Sequence, residues 1–168
     1  MEINVEVSRK DYSNFNKYYF FHKGIKTRLI IYFITILVLP IIINIGSDFN
    51  FIVFLISMFI TAVIFGVLYF GLGYLSMSFS GKLPSANGSI LGKRKFTITN
   101  EGLIEESDSN TNIQKWNSIK SIEQNNELII VFIDKIAAYV IPKRFFTDNE
   151  QMNLFIENMK IKTTANKV

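Results

Sequence analysis

The stretch that decides the reading runs from Leu29 to Tyr74. It holds two apolar runs, LIIYFITILVLPIIINI (Leu29 to Ile45) and FIVFLISMFITAVIFGVLYFGLGY (Phe51 to Tyr74), with only GSDFN (Gly46 to Asn50) between them. From Leu29 to Phe79 there is no Lys, Arg or Glu and a single acid, Asp48. A helix needs about 20 mostly apolar residues to cross a hydrocarbon core roughly 30 Å thick. Each run is close to that length. The expected element is a transmembrane helical hairpin over residues 29–80, with spans at 29–46 and 51–76 and a very tight turn.

Charge on either side of the hairpin sets its expected orientation. Arg9, Lys10, Lys17, Lys23, Lys26 and Arg28 precede the first span, and Lys82, Lys93, Arg94 and Lys95 follow the second. The turn carries no cation. The positive-inside rule then predicts both termini in the cytoplasm, the turn outside, and a multi-pass location in the cell (inner) membrane. The net charge of +4 is read first as topology and attraction to lipid rather than as nucleic-acid binding. The N-terminus does not read as a cleavable signal peptide, because its apolar run is too long and a second span follows at once.

Outward from the hairpin the pattern changes period. Residues 1–8 contain a strand in which Ile3, Val5 and Val7 alternate with polar residues. Residues 9–28 read as an amphipathic helix. Ser8 and Asp11 form its capping box, and Tyr12, Phe15, Tyr18, Tyr19, Phe20 and Phe21 make it aromatic. Such a helix suits the headgroup zone, and its aromatics would equally well pack on the C-terminal segment. Pro40 should bend the first span. Ala62, Gly66 and Gly73 put small residues on one face of the second, where another helix can approach closely. The first span is the expected neighbour, with packing in a homo-oligomer as the other use. Asn44 should cap the outer end of the first span.

Residues 81–92 are a Gly/Ser-rich linker. Beyond it, short alternating runs separated by turns read as six strands, at 93–99, 103–107, 111–116, 119–124, 128–133 and 136–141. Together they make an antiparallel sheet that curls on itself. Thr147 with Glu150 should cap a final helix whose Met152, Phe155, Ile156 and Met159 share one face and close the sheet. The folded domain is expected over 93–161, with 162–168 as a flexible tail.

A curled antiparallel sheet closed by a C-terminal amphipathic helix is the pleckstrin-homology-like (PH-like) architecture. Trp116-x-x-Ile119-x-x-Ile122 and Ile141-Pro142-Lys143-Arg144-x-Phe146, with Asp11, Tyr12 and Phe15 after the N-terminal strand, make the chain resemble the YcxB-like family of bacterial membrane proteins. That resemblance implies two spans and a cytoplasmic PH-like domain, and it brings no catalytic residues. Some PH-like membrane proteins occur beside toxin or bacteriocin genes, which makes self-immunity an expectation at the level of the class. A PH-like barrel has seven strands, so Ile3 to Val7 is expected to supply the seventh. The fold class is then an α+β membrane protein in which the hairpin is an insertion into the PH-like sheet.

Chemistry is sparse. With no cysteine and a single histidine, His22, thiolate metal sites, thiol nucleophiles and most histidine-based catalysis are excluded. Gly88-x-x-x-Gly92-Lys93 falls one residue short of a phosphate loop, and Arg94 stands where Ser or Thr is required. Asn87-Gly88-Ser89 matches a glycosylation sequon that a cytoplasmic location would leave unused. Glu105, Glu106 and Asp108 read as a solvated edge, because neighbours on a strand point to opposite faces. The expectation is a non-enzymatic protein with no cofactor and no metal, and with lipid and a membrane protein or toxin as partners. Its candidate interface is Lys93, Arg94, Lys95, Trp116, Lys143 and Arg144. Trp116 is read as core first and as interface second. Two functions compete, a membrane-anchored adaptor and a self-immunity protein against a membrane-active toxin or bacteriocin.

Overall fold

In the computed structural model, residues 1–46, 48–85 and 90–166 are described. The phosphate-loop-like segment at Gly88, the sequon at Asn87, part of the expected linker and the last residues of the expected tail lie outside that set. The chain divides into two compact units, one formed by 1–15 with 80–168 and the other by 16–79.

The first unit is α+β. Its strands are β1 (Glu2–Val7), β2 (Gly92–Ile98), β3 (Gly102–Ser107), β4 (Thr111–Lys115), β5 (Ser121–Gln124), β6 (Leu128–Phe132) and β7 (Ala138–Pro142). Strands β1 and β2 pair antiparallel along their whole length, Ile3 opposite Phe96 and Val5 opposite Arg94, although more than eighty residues separate them in sequence. The seven strands do not form one curled sheet. They form a four-stranded sheet in the order β1-β2-β3-β4 and a three-stranded sheet in the order β5-β6-β7. The break falls at the 3-10 turn Trp116–Ser118, which ends β4 and redirects the chain before β5. There the Ile119 amide bonds back to the Trp116 carbonyl at 3.3 Å, a local turn bond in place of a ladder bond.

Both sheets contribute to one core. Ile3, Val5, Val7, Phe96, Ile98 and Leu103 come from the first sheet, and Ile129, Val131 and Ile141 from the second. Trp116 and Ile119 join from the turn between them. Helix α5 (Asn149–Ala165) adds Phe155, Ile156 and Met159. The run LIIVF of β6 is buried on both faces. Its far face receives Phe15 of helix α1 (Arg9–Tyr18), whose ring lies 6.1 Å from that of Phe132. The Asp148 side chain caps α5 by accepting from the Gln151 amide at 2.7 Å, one residue later than the expected Thr147 cap. Gln151 in turn accepts from the Thr147 amide at 2.9 Å. The helix continues through the expected start of the tail, with Thr163 buried, because its inward face still has a core to cover.

The second unit is helical. The end of α1 passes through a π-helical turn at Tyr19–Lys23, and Gly24 then starts α2 (Ile25–Ile43). The first long helix thus begins at Ile25 rather than near Leu29. Helix α3 (Phe51–Gly66), a second π-helical turn (Val67–Gly71), α4 (Leu72–Phe79) and the 3-10 turn Ser80–Lys82 follow without interruption. Two helices here are long and apolar enough to cross a membrane, Ile25–Ile43 and Phe51–Lys82. Asn44 ends α2, its side-chain amide donating to the Pro40 carbonyl at 2.7 Å. Asn50 starts α3, its side chain accepting from the Ile52 and Val53 amides at 3.0 and 3.2 Å. Two asparagines thus cap the two helix ends that flank the tight turn.

Candidate interface and helix-packing sites

The candidate interface begins on β2. Alternation sends Lys93 and Lys95 outward and Arg94 inward with Phe96. Arg94 lies opposite Ser107 and Phe96 opposite Glu105, so Arg94 and Glu105 are diagonal neighbours on the inner face. They form an ion pair with side chains 10% and 5% exposed, and Asn112 donates to the other Glu105 oxygen at 3.2 Å. Burial pushes the Arg94 guanidinium down from its ordinary value and the neighbouring Tyr139 phenol up. Glu105 is therefore an interior partner and not part of a solvated acidic edge.

Lys95 bonds Glu2 at 3.0 Å and approaches Glu106 at 3.7 Å, a cross-strand bridge on the outer face. The hydrogen bond with Glu2 holds the Lys95 ammonium above its ordinary value. Lys93 is exposed, opposite Glu6. The Trp116 indole is 1% exposed and donates to the Thr99 carbonyl at 3.2 Å, which places it in the core.

Lys143 and Arg144 sit in the 3-10 turn after β7. Lys143 donates to Gln124 at 2.9 Å, and partial burial lowers its affinity for the proton. Arg144 makes a two-pronged bond to Asp11, at 2.5 and 2.7 Å, and donates to the Glu6 carbonyl at 3.0 Å. Asp11 also accepts from the Ser8 amide at 2.8 Å and hydroxyl at 2.6 Å. Burial raises the Asp11 carboxyl, but the bonds from Arg144 and Ser8 outweigh it and hold the group below its ordinary value. The Ser8–Asp11 capping box is legible in sequence. Its partner Arg144 stands 133 residues away, and no local pattern announces it.

The six candidate residues thus do not form one free basic face. Glu6 of β1 lies between Lys93 on one side and the Arg144 contact on the other. A cavity of about 550 Å³ opens there, lined by Val5, Lys93, Arg94, Glu106, Ser107 and Phe145 among others. Its cations and acids are interleaved, so it has no strong charge of one sign. Among the described residues, no group of three or more His, Cys, Asp or Glu side chains is placed to hold a metal ion.

The helix-packing residues divide between two partners. The Tyr32 hydroxyl of α2 donates to the Ala62 carbonyl of α3 at 2.8 Å, and a Cβ at Gly66 would stand 3.2 Å from that oxygen. Ala62 and Gly66 therefore accommodate the first long helix through one tyrosine. Gly73 serves a different residue: a Cβ there would collide with the ring of Phe20. Pro40 is buried within α2. Tyr32 and Phe20 have no signature in sequence, because small residues announce a groove and not what fills it. The aromatics of 9–28 also divide, Phe15 packing in the first unit and Phe20 and Phe21 in the helical one.

The fold defines an α+β protein with antiparallel sheets and two helices of membrane-spanning length. Within it, residues 98–159 match the family model described as YcxB-like protein. That span holds Trp116, Ile119, Ile122 and the Ile141 to Phe146 turn, so the resemblance to the YcxB-like family is shown over these residues. It excludes β1 and the helical unit. No curated protein and no solved structure matches the chain.

Proposed function

We propose that this chain is a two-span membrane protein whose first unit is a PH-like binding domain, and that it works as a membrane-anchored adaptor. The observation that carries the reading is the exposure of the helical unit. The most apolar 18 residues of its two long helices have mean hydropathies of 2.1 and 2.8, yet only 6% of those residues are buried in either helix. A helix that is apolar all round and unburied is stable only in an apolar solvent. The hairpin is inserted between β1 and β2, which pair with each other. Both of its ends therefore return to one domain, which the positive-inside rule puts in the cytoplasm. The match to the YcxB-like model over the second half of that domain supports the reading.

Photo-crosslinking in native membranes tests it. Probes at Lys93 and Ile136 should capture one dominant protein, and probes along α2 and α3 should not. Capture of a small toxin or bacteriocin along the helices would replace the adaptor by the self-immunity reading. Self-crosslinks alone would remove both.

A further inference from the structure

The helical unit gathers all its cations at one end. Between Asn16 and Phe79 the charged residues are Lys17, Lys23, Lys26, Arg28 and Asp48. The four cations fall within 17–28. Asp48 follows α2, a 19-residue helix roughly 28 Å long. The π-helical turn Tyr19–Lys23 folds back against α4. Phe20 seats on Gly73, the Phe21 ring lies 6.3 Å from that of Tyr74, and Lys17 Nζ stands 5.0 Å from the Tyr74 ring centroid. The cations of the first segment are thereby brought to the end of the second long helix. Arg28 is structural: its guanidinium covers the Phe20 ring at 3.9 Å and donates to the Phe20 carbonyl. Lys23 and Lys26 are exposed.

We infer that this end of the hairpin binds the headgroups of anionic phospholipids, with Lys17, Lys23 and Lys26 supplying the charge and Tyr74 orienting Lys17. The inference rests on the membrane reading above and goes further by naming the lipid class. Three features select phospholipid over an acidic protein segment. The cations stand at the end of two helices of spanning length. Tyr69 and Tyr74 lie at the same end, and such amphipathic rings belong at headgroup level. Exposed Leu72 and Leu75 continue the surface as apolar wall for acyl chains. Attraction of this kind falls off within a Debye length and weakens with salt.

The test uses the full chain reconstituted in phosphatidylcholine bilayers with trace spin-labelled lipids. Electron paramagnetic resonance then compares the association of phosphatidylglycerol with that of phosphatidylcholine. The expected result is a several-fold preference for phosphatidylglycerol. It should collapse to near unity in the variant carrying Lys17→Gln, Lys23→Gln and Lys26→Gln, and shrink at high salt. The control carrying Lys135→Gln and Lys160→Gln should keep the wild-type preference. Equal association of both lipids with the wild-type chain overturns the inference, as does a control that loses as much preference as the triple variant. Should the triple variant fail to insert, the exposed Lys23→Gln and Lys26→Gln are measured singly, and no loss in either overturns it. Failure of the wild-type chain to insert overturns the membrane reading and this inference together, whereas insertion without preference overturns this inference alone.

Discussion

Ile129 and Ile60 are the same residue type in two opposite situations. Ile129, in β6, is 0% exposed, whereas Ile60, in α3, is 49% exposed. The contrast extends to the whole of each unit. The α+β unit hides its apolar side chains from water between two sheets and a helix, whereas the helical unit leaves most of them on its surface. One region carries its own apolar interior, and the other presents two helices long and apolar enough to cross a membrane with their apolar side chains exposed. Polar groups follow the same division. Among the described residues of the α+β unit the buried charges are paired, Arg94 with Glu105 and Asp11 with Arg144. In the helical unit the stretch from Leu29 to Phe79 carries a single charge, Asp48, in the turn between its two helices.

The sharpest way to break this comparison is all-or-none labelling. Because the chain has no cysteine, single Cys variants give clean signals. Phe49→Cys lies in the turn between α2 and α3, 73% exposed, and Ile136→Cys lies in the β6–β7 turn, 70% exposed. A membrane-impermeant thiol reagent should label the first in intact spheroplasts and the second only after permeabilisation. Equal labelling of both before permeabilisation would refute the topology.

Next in size is the buried ion pair. Glu105→Ala removes the ion-pair partner of the largely buried Arg94, which costs about 3–5 kcal/mol. The single tryptophan, Trp116, lies in the core of the α+β unit, so its fluorescence reports the unfolding of that unit. The joint replacement Arg94→Leu with Glu105→Leu should recover much of the loss, and the helix signal of the hairpin should change in neither variant.

A smaller effect is expected for Asp11→Asn, about 1–3 kcal/mol in the same fluorescence melt, because Arg144 is half exposed and water compensates it in part. The Asp11 carboxyl is held below its ordinary value of 3.8 in the folded chain, so its contribution is fully present above that value. It is lost as pH falls through the lower folded value. Asp11→Asn should therefore flatten the acid limb of the stability profile, and an unchanged limb would show that the Arg144 contact adds nothing. Smallest of all, Lys95→Gln removes only an outer-face bridge and should leave the melting midpoint where it is.

Some of this was legible from local pattern. The two apolar runs, the alternation of Ile3, Val5 and Val7, and the Met152 to Met159 face each depend on neighbours a few residues apart. The Ser8–Asp11 capping box does too. What was not legible depended on distant partners. Arg94 looked like part of a basic patch because sequence does not show Glu105 and Asn112 beneath it. The Arg144 contact with Asp11 was not legible because Asp11 lies far off in the chain. One curled sheet was expected because strands were counted without the turn that turns Trp116 inward.

Consecutive residues alone were enough to show that one region carries two apolar runs of membrane-spanning length and that the other must bury its own core, since hydropathy and its period are properties of neighbours in the chain. Only the tertiary structure decided that β1 pairs with β2 across the whole hairpin, that the strands divide four and three, and which cations are already bound to acids. It also decided that Phe20 fills the notch at Gly73. The physical reason is that pairing across long loops and the filling of a groove are set by complementary shape and charge between distant segments, which no window of neighbouring residues contains.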